Sequence, residues 1–325
     1  MPRNWFCPLF LAFLLGGCGT PSLLITPVAN TDQLEEANTE EFAGWGGSKI
    51  AIVDVEGMLI NAETGGFLKP TENKLSLFAQ EMKRAARDPG VKAVVLRINS
   101  PGGTVTCSDN MYQIVKDFRT RTGKPVIAST QEVCASGAYY VACGADQIVA
   151  NPTSVVGSVG VIMTTVDLSG IMGKLGIRAE SITSGPLKDM GSPFKPLDPA
   201  ARDVIARMID DFYKRFVSVV TTSRTQLADP QKIKDATDGR VFSGEQALQY
   251  HLVDRLGRLE DAIELAREMS KSPDARTIIY RRPYGYGGSI YARDSVPPAQ
   301  SQVLRLDLPE SDLFLPRGFY FLWQP

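Results

Sequence analysis

The chain has 325 residues, 43% apolar and 22% charged, a composition that excludes a disordered, collagenous or coiled-coil protein as a whole-chain reading. Its 35 Lys and Arg against 36 Asp and Glu leave a formal charge of -1, which removes the counterion-release attraction on which nucleic-acid binding depends, so no nucleic-acid partner is expected. The single histidine, His251, excludes any mechanism built on several imidazoles, and a Ser-His-Asp triad would have to run through that one residue.

Residues 1–4 carry one Arg, residues 5–15 form an apolar stretch broken only by Pro8, and Leu15-Gly16-Gly17-Cys18 follows. This is the layout of an export signal, and its apolar core is too short for a bilayer of about 30 Å, which takes about 20 residues. The small residues before Cys18 resemble a bacterial lipoprotein cleavage box, in which Cys18 becomes the lipidated first residue and holds the protein in the cell envelope with its folded part on the extracytoplasmic side. A plain signal peptide over 1–18, or a short anchor extended by residues 23–28, is the alternative. With Cys7 and Cys18 in the export segment, Cys107, Cys134 and Cys143 remain, an odd number that argues for buried free thiols and against a disulfide framework. Residues 19–47 hold Asp32, Glu35, Glu36, Glu40 and Glu41 among few apolar positions and read as an acidic tether.

Order is expected from residue 48. Residues 49–55 and the valine-rich 91–98 read as strands, and between them Leu75, Phe78, Ala79, Met82 and Ala86 recur at helical spacing. A helix over 105–121, a strand over 125–129, a short helix over 136–143, strands over 147–150 and 159–163, a helix over 168–175 and a strand over 178–184 continue the alternation. Strand, helix, strand at this rhythm predicts an α/β fold with a mostly parallel sheet joined by crossover helices. From Asp198 a long amphipathic helix places Ile205, Met208, Ile209, Phe212, Phe216 and Val219 on one stripe, suited to core packing or a subunit interface. Residues 244–250 and 259–269 read as further helices, which bounds a domain over 48–270. Residues 271–325 carry Arg281-Arg282-Pro283, a Tyr-Gly run and Pro297-Pro298 without any period, an irregular tail whose apolar end, 319–323, is expected to dock on something.

Two glycine-bearing turns carry the chemistry. Asn99-Ser100-Pro101-Gly102-Gly103 follows a strand and precedes a helix, at the end of a parallel strand where such sheets bind ligands and where glycine lets backbone N–H groups come close. The Gly-Lys-Ser/Thr of a phosphate loop is missing after it. In Cys134-Ala135-Ser136-Gly137-Ala138-Tyr139-Tyr140, Ser136 stands at a helix start with the Gly137 N–H beside it; it is either a nucleophile next to an oxyanion donor or a helix cap. Position alone does not separate Lys174, Lys188 and Lys195 from one another, and each reads as ordinary solvated charge. Asp167, Asp189 and Asp254 have no histidine to orient.

The pairing of Asn-Ser-Pro-Gly-Gly with Ala-Ser-Gly-Ala-Tyr-Tyr resembles the bacterial signal peptide peptidase A, or protease IV, family of serine peptidases, whose fold is shared with the Clp protease and the crotonases. Gly157-Ser158-Val159-Gly160-Val161, Ser184-Gly185-Pro186-Leu187-Lys188-Asp189 with Ser192-Pro193, and Asp238-Gly239-Arg240-Val241 with 252–257 fit the same family in order. The resemblance implies a membrane-associated serine endopeptidase that degrades cleaved signal peptides and similar apolar peptides without metal or cofactor. It implies Ser136 as nucleophile, Lys188 as general base, Ser158 as the residue orienting that lysine, and the backbone N–H groups of Gly103 and Gly137 as oxyanion donors. A lysine serves as a base only where lost solvation disfavours its charge. The resemblance further implies a homo-oligomeric ring whose neighbouring subunits share active sites. His251 departs from the family, which has glycine there, at a turn. A crotonase-type acyl-CoA enzyme and a non-catalytic lipoprotein scaffold are the rival readings.

Overall fold

The computed structural model describes residues 34–39, 47–62, 73–281 and 318–323; Cys18 and the rest of the export segment lie outside them. In chain order the elements are β1 (Glu35–Asn38), β2 (Lys49–Glu56), α1 (Lys74–Arg87), β3 (Val91–Ser100), β4 (Gly102–Thr104), α2 (Val105–Thr122), β5 (Val126–Ala135), α3 (Gly137–Ala142), β6 (Gln147–Ala150), β7 (Val155–Gly157), α4 (Ser169–Lys174), α5 (Pro199–Ser223), α6 (Pro230–Ala236), β8 (Val241–Ser243), α7 (Gly244–Gln249), β9 (Arg255–Leu256), α8 (Leu259–Met269), β10 (Arg276–Arg281) and β11 (Tyr320–Leu322).

The unbroken apolar run in β3 is the pattern of a strand covered on both faces, and β3 lies at the centre of the main sheet, whose order is β1-β10-β2-β3-β5-β6-β9. Successive β3 side chains point to opposite faces. Val94, Leu96 and Ile98 pack with Phe78, Met111 and Val115 from α1 and α2, while Ala93 and Val95 pack with Leu259, Ala262 and Ile263 from α8. The pairs β10/β2, β2/β3, β3/β5, β5/β6 and β6/β9 are parallel; β1/β10 is antiparallel. The fold is therefore α/β with a mostly parallel sheet. The first half of β5 pairs with β6 and its last residues, Val133 to Ala135, pair with β7, so β5 carries the chain beyond the main sheet to Ser136.

Four stretches differ from the sequence expectation. Glu35–Asn38, placed in the tether, is a strand, because β10 offers it an open edge. Residues 276–281, placed in the irregular tail, form β10, whose Thr277, Ile278, Ile279 and Tyr280 are buried between β1 and β2. The predicted strand over 159–163 is replaced by β7 just before it, leaving one bridge between Ile162 and Tyr320. No strand forms over 178–184: these residues are exposed, Ile182 completely, and a strand needs a partner for its backbone groups. Among the described residues no helix is long and apolar enough to cross a membrane.

Candidate active site

Ser136 connects β5 to α3 with φ 53° and ψ -117°, a conformation that costs a non-glycine residue about 1–3 kcal/mol. Parallel pairing sets it in place. Ala135 is in register with Gly157, and the Ser136 N–H donates to the Gly157 carbonyl at 2.7 Å. Ser136 does stand at the N-cap position of α3, yet its side chain makes no capping hydrogen bond, so capping does not account for a serine here. It is 1% exposed. Behind it α3 is wholly buried and anchored: the Tyr139 hydroxyl donates to the Leu252 carbonyl at 2.7 Å, and the Tyr140 hydroxyl to Asp109 Oδ1 at 2.7 Å.

The Asn99–Gly103 turn is pinned against this corner. Ser100 Oγ donates to the Gly57 carbonyl at 2.6 Å and accepts from the Gly102 N–H at 3.1 Å, while Asn99 Oδ1 accepts from the Val133 N–H of β5 at 3.2 Å. Gly102 has φ +101°, and a Cβ there would overlap the Phe321 carbonyl oxygen and lie 2.7 Å from the Gly137 nitrogen. A Cβ on Gly137 would collide with Ser108 Oγ and lie 3.2 Å from the Gly103 nitrogen. The two turns therefore touch through backbone alone, with the Gly103 and Gly137 nitrogens close together beside Ser136. Asn99 thus ties the glycine turn to β5, and Ser100 closes the turn against the Gly57 carbonyl that follows β2. Ser158 follows β7 with φ 52°, is buried, and donates its N–H to the Arg240 carbonyl at 2.8 Å, so it sits on the strand end adjoining Ser136.

No hydrogen bond joins Lys188 to Ser136 within this chain. Lys188 is exposed, and among the described residues its side chain makes no hydrogen bond or ion pair. Lys195 is held by Asp189 at 2.6 Å, and that hydrogen bond keeps the Asp189 carboxyl below its ordinary range; Lys174 is exposed. Asp254 pairs with Arg224 at 2.9 Å, and Asp167 accepts the Ser169 N–H, so these acids have structural partners. His251 follows α7 with φ 58°, the conformation a glycine at that turn would favour. Cys107, Cys134 and Cys143 are buried and free; burial pushes the Cys107 thiol up to about 11 and raises those of Cys134 and Cys143, which keeps all three protonated and poor nucleophiles. Among the described residues no His, Cys, Asp and Glu side chains are grouped as metal ligands would be.

A strained, buried serine beside two glycine turns, at the end of a parallel strand, is an arrangement that a serine-type hydrolase acting on a carbonyl would use. The profile of peptidase family S49 matches residues 119–272. A candidate signal peptide peptidase SppA from Enterococcus faecium is 31% identical over 77% of this chain and 72% of its own length. A candidate protease from Synechocystis is 36% identical over 68% of this chain and 74% of its own length, and Protease 4 of Salmonella typhi is 30% identical over 76% of this chain but 42% of its own length. Among solved structures, a membrane-bound stomatin-specific protease matches 67% of this chain and 84% of its own with a TM-score of 0.42 and 14% identity. The chain belongs to peptidase family S49. It is a serine-type peptidase, which sets aside the acyl-CoA reading.

Proposed function

We propose that the protein is a membrane-tethered endopeptidase that degrades signal-peptide remnants and similar apolar peptides by a Ser-Lys dyad. Ser136 Oγ attacks the peptide carbonyl and gives its proton to the Lys188 amine. The Gly103 and Gly137 N–H groups hold the oxyanion, and Ser158 orients the lysine. The lysine then passes the proton to the leaving amine, and water releases the acyl group from Ser136. The observation that carries this reading is the strained Ser136, whose side chain makes no capping bond and which adjoins the two glycine nitrogens.

Lys188 comes from a neighbouring copy in this reading. Residues 166–194 expose Val166, Ile171, Leu175, Ile182, Met190 and Phe194, an apolar arm that favours burial against a second chain, which would also strip solvent from Lys188. A head-to-tail contact repeated around a ring gives every serine a lysine from the next subunit. Cys18, lipidated, would hold the ring at the envelope membrane. One experiment tests the shared dyad. Ser136→Ala and Lys188→Ala are each expected to lose hydrolysis, and mixing them under subunit exchange should restore part of it. A mixture that exchanges subunits and stays inactive refutes the shared site; an active Ser136→Ala refutes the nucleophile. Intact mass of the membrane fraction tests the tether, since an unlipidated mature protein leaves Cys18 without that role.

A further inference from the structure

Asp238-Gly239-Arg240-Val241 joins α6 to β8, and no step of the reaction falls to it. The loop is fixed at both ends. At its start Thr237 is buried, and the Tyr213 hydroxyl of α5 donates to the Thr237 carbonyl at 2.8 Å. At its end β8 pairs antiparallel with β7, Val241 opposite Gly157. One step past that pair, the Arg240 carbonyl accepts the Ser158 N–H at 2.8 Å. A Cβ on Gly157, whose φ is +104°, would stand 3.0 Å from the Phe242 ring and 3.3 Å from the Arg240 carbonyl oxygen, so the loop lies directly on β7. Gly157 in turn accepts the Ser136 N–H at 2.7 Å. The Arg240 carbonyl therefore acts on the residue next to the one that holds the Ser136 backbone.

Between the fixed ends stands Gly239, with φ +94° and open space where a Cβ would point, so packing does not restrain it. The Asp238 carboxylate closes over it instead. It accepts the Arg240 backbone N–H at 3.1 Å, the Arg240 Nε–H at 2.9 Å to each oxygen, and Nη2 at 2.6 Å. Hydrogen bonding from Arg240 holds the Asp238 carboxyl below its ordinary range, so it remains a charged acceptor at neutral pH. The two side chains are 40% and 48% exposed. An exposed pair of this kind adds little to stability, because water screens it and ordering two side chains costs entropy. What the carboxylate does supply is direction, since it grips Arg240 by backbone and guanidinium together and closes the turn across the one unrestrained residue. Ser158, at φ 52°, is held in a conformation that a non-glycine residue keeps only where its surroundings impose it.

We propose that Asp238 and Arg240 are positioning residues: their closed turn aims the Arg240 carbonyl at the Ser158 N–H and so fixes the direction in which the Ser158 hydroxyl leaves the backbone. This rests on Ser158 orienting the lysine of the Ser-Lys dyad. Both residues act through Ser158 and not on the peptide being cut. Opening the turn frees the Ser158 peptide to relax and displaces its hydroxyl by a fraction of an ångström. A misplacement of about 1 Å at a reacting centre costs about a hundredfold in rate, so a smaller one is expected to cost about tenfold. The loss falls on kcat, while KM stays as it was.

The test is a double-mutant cycle on the full chain, with steady-state peptide cleavage and urea unfolding of every variant. Asp238→Ala should lower kcat about tenfold, with KM within about twofold and a urea midpoint close to that of the wild type. In a Ser158→Ala background the same substitution should cost less than about twofold, since the group it positions is gone. Asp238→Asn keeps an oxygen for the Arg240 N–H, so its loss should be only about threefold and should likewise vanish without the Ser158 hydroxyl; it carries the comparison if Asp238→Ala does not fold. A Ser158→Ala variant that has lost activity beside Asp238 variants that keep the wild-type kcat overturns the proposal and leaves the dyad standing. Equal losses in both backgrounds overturn it as well, because the turn then acts through something other than the Ser158 hydroxyl. Wild-type kcat in Ser158→Ala is a different result, which removes Ser158 from the dyad and this proposal with it.

Discussion

Gly137→Ala tests the oxyanion role proposed for Gly103 and Gly137 apart from the nucleophile role proposed for Ser136. Gly137 opens α3 and is not among the positive-φ residues, so its backbone tolerates alanine. The added methyl meets three things: it collides with Ser108 Oγ, lies 3.0 Å from the Phe321 carbonyl oxygen, and lies 3.2 Å from the Gly103 nitrogen. Losing one oxyanion donor outright costs about a hundredfold to a thousandfold in kcat, about 2.7–4 kcal/mol. On the proposed mechanism the donors stay and a substrate oxygen between them retreats by a few tenths of an ångström, so a tenfold to hundredfold loss of kcat is expected, about 1.4–2.8 kcal/mol, with KM little changed. The assay is steady-state cleavage of a fluorogenic peptide, with the urea midpoint as a check on folding. Ser108 Oγ donates to the Thr104 carbonyl at 3.0 Å, and Ser108→Ala removes the collision while leaving the methyl in place. If the double variant recovers wild-type kcat to within about twofold, the loss came from packing and Gly137 is not a donor.

Two further expectations concern stability. Arg224, with its side chain 7% exposed, pairs with Asp254, which also accepts the Ile148 N–H at 2.7 Å; Arg224→Met strands that carboxylate and should cost about 2–4 kcal/mol in urea unfolding, and a loss under about 1 kcal/mol contradicts the pairing. Lys49 lies 2.7 Å from Glu36 and 2.9 Å from Asp88; burial works against its charge, but these hydrogen bonds hold it above its ordinary value, and against the same burial penalty Lys49 keeps the Asp88 carboxyl low. Asp88 therefore contributes stability that is lost as pH falls through its lowered value, and Lys49 contributes stability that is lost as pH rises through its raised one. The deficit of Lys49→Gln should be largest between about pH 5 and 9 and shrink outside that window; a deficit independent of pH refutes it.

The parts of the fold that sequence makes legible are those with local causes. The Val-Ile run of β3, the helical spacing of Phe78 and Met82 and the glycine turns announce themselves within a few residues. β1 does not: Glu-Glu-Ala-Asn has no strand character, and only the edge offered by β10 makes it one. β10 was overshadowed by the Arg-Arg-Pro that follows, although Thr277 to Tyr280 is a buried run. Residues 178–184, with Ile182 and Thr183, read as a strand, but no backbone among the described residues pairs with them. At the site, Ser136 and the glycines were readable as a pair of turns. Lys188 was separable from Lys174 and Lys195 by resemblance alone, since a lysine's role depends on what surrounds it in space. The ion pair of Lys195 with Asp189 adds a reason to prefer its neighbour.

The position of β10 sets the timing of assembly. It enters the sheet between β1 and β2, although nearly every other element precedes it in the chain. Pairing of this kind waits on closure of a very long loop, which places folding among the slow topologies. A chain made from its N-terminus keeps β2 unpaired along one edge until residues 276–281 have been synthesised. The sheet that supports Ser136 is thus completed only near the end of synthesis.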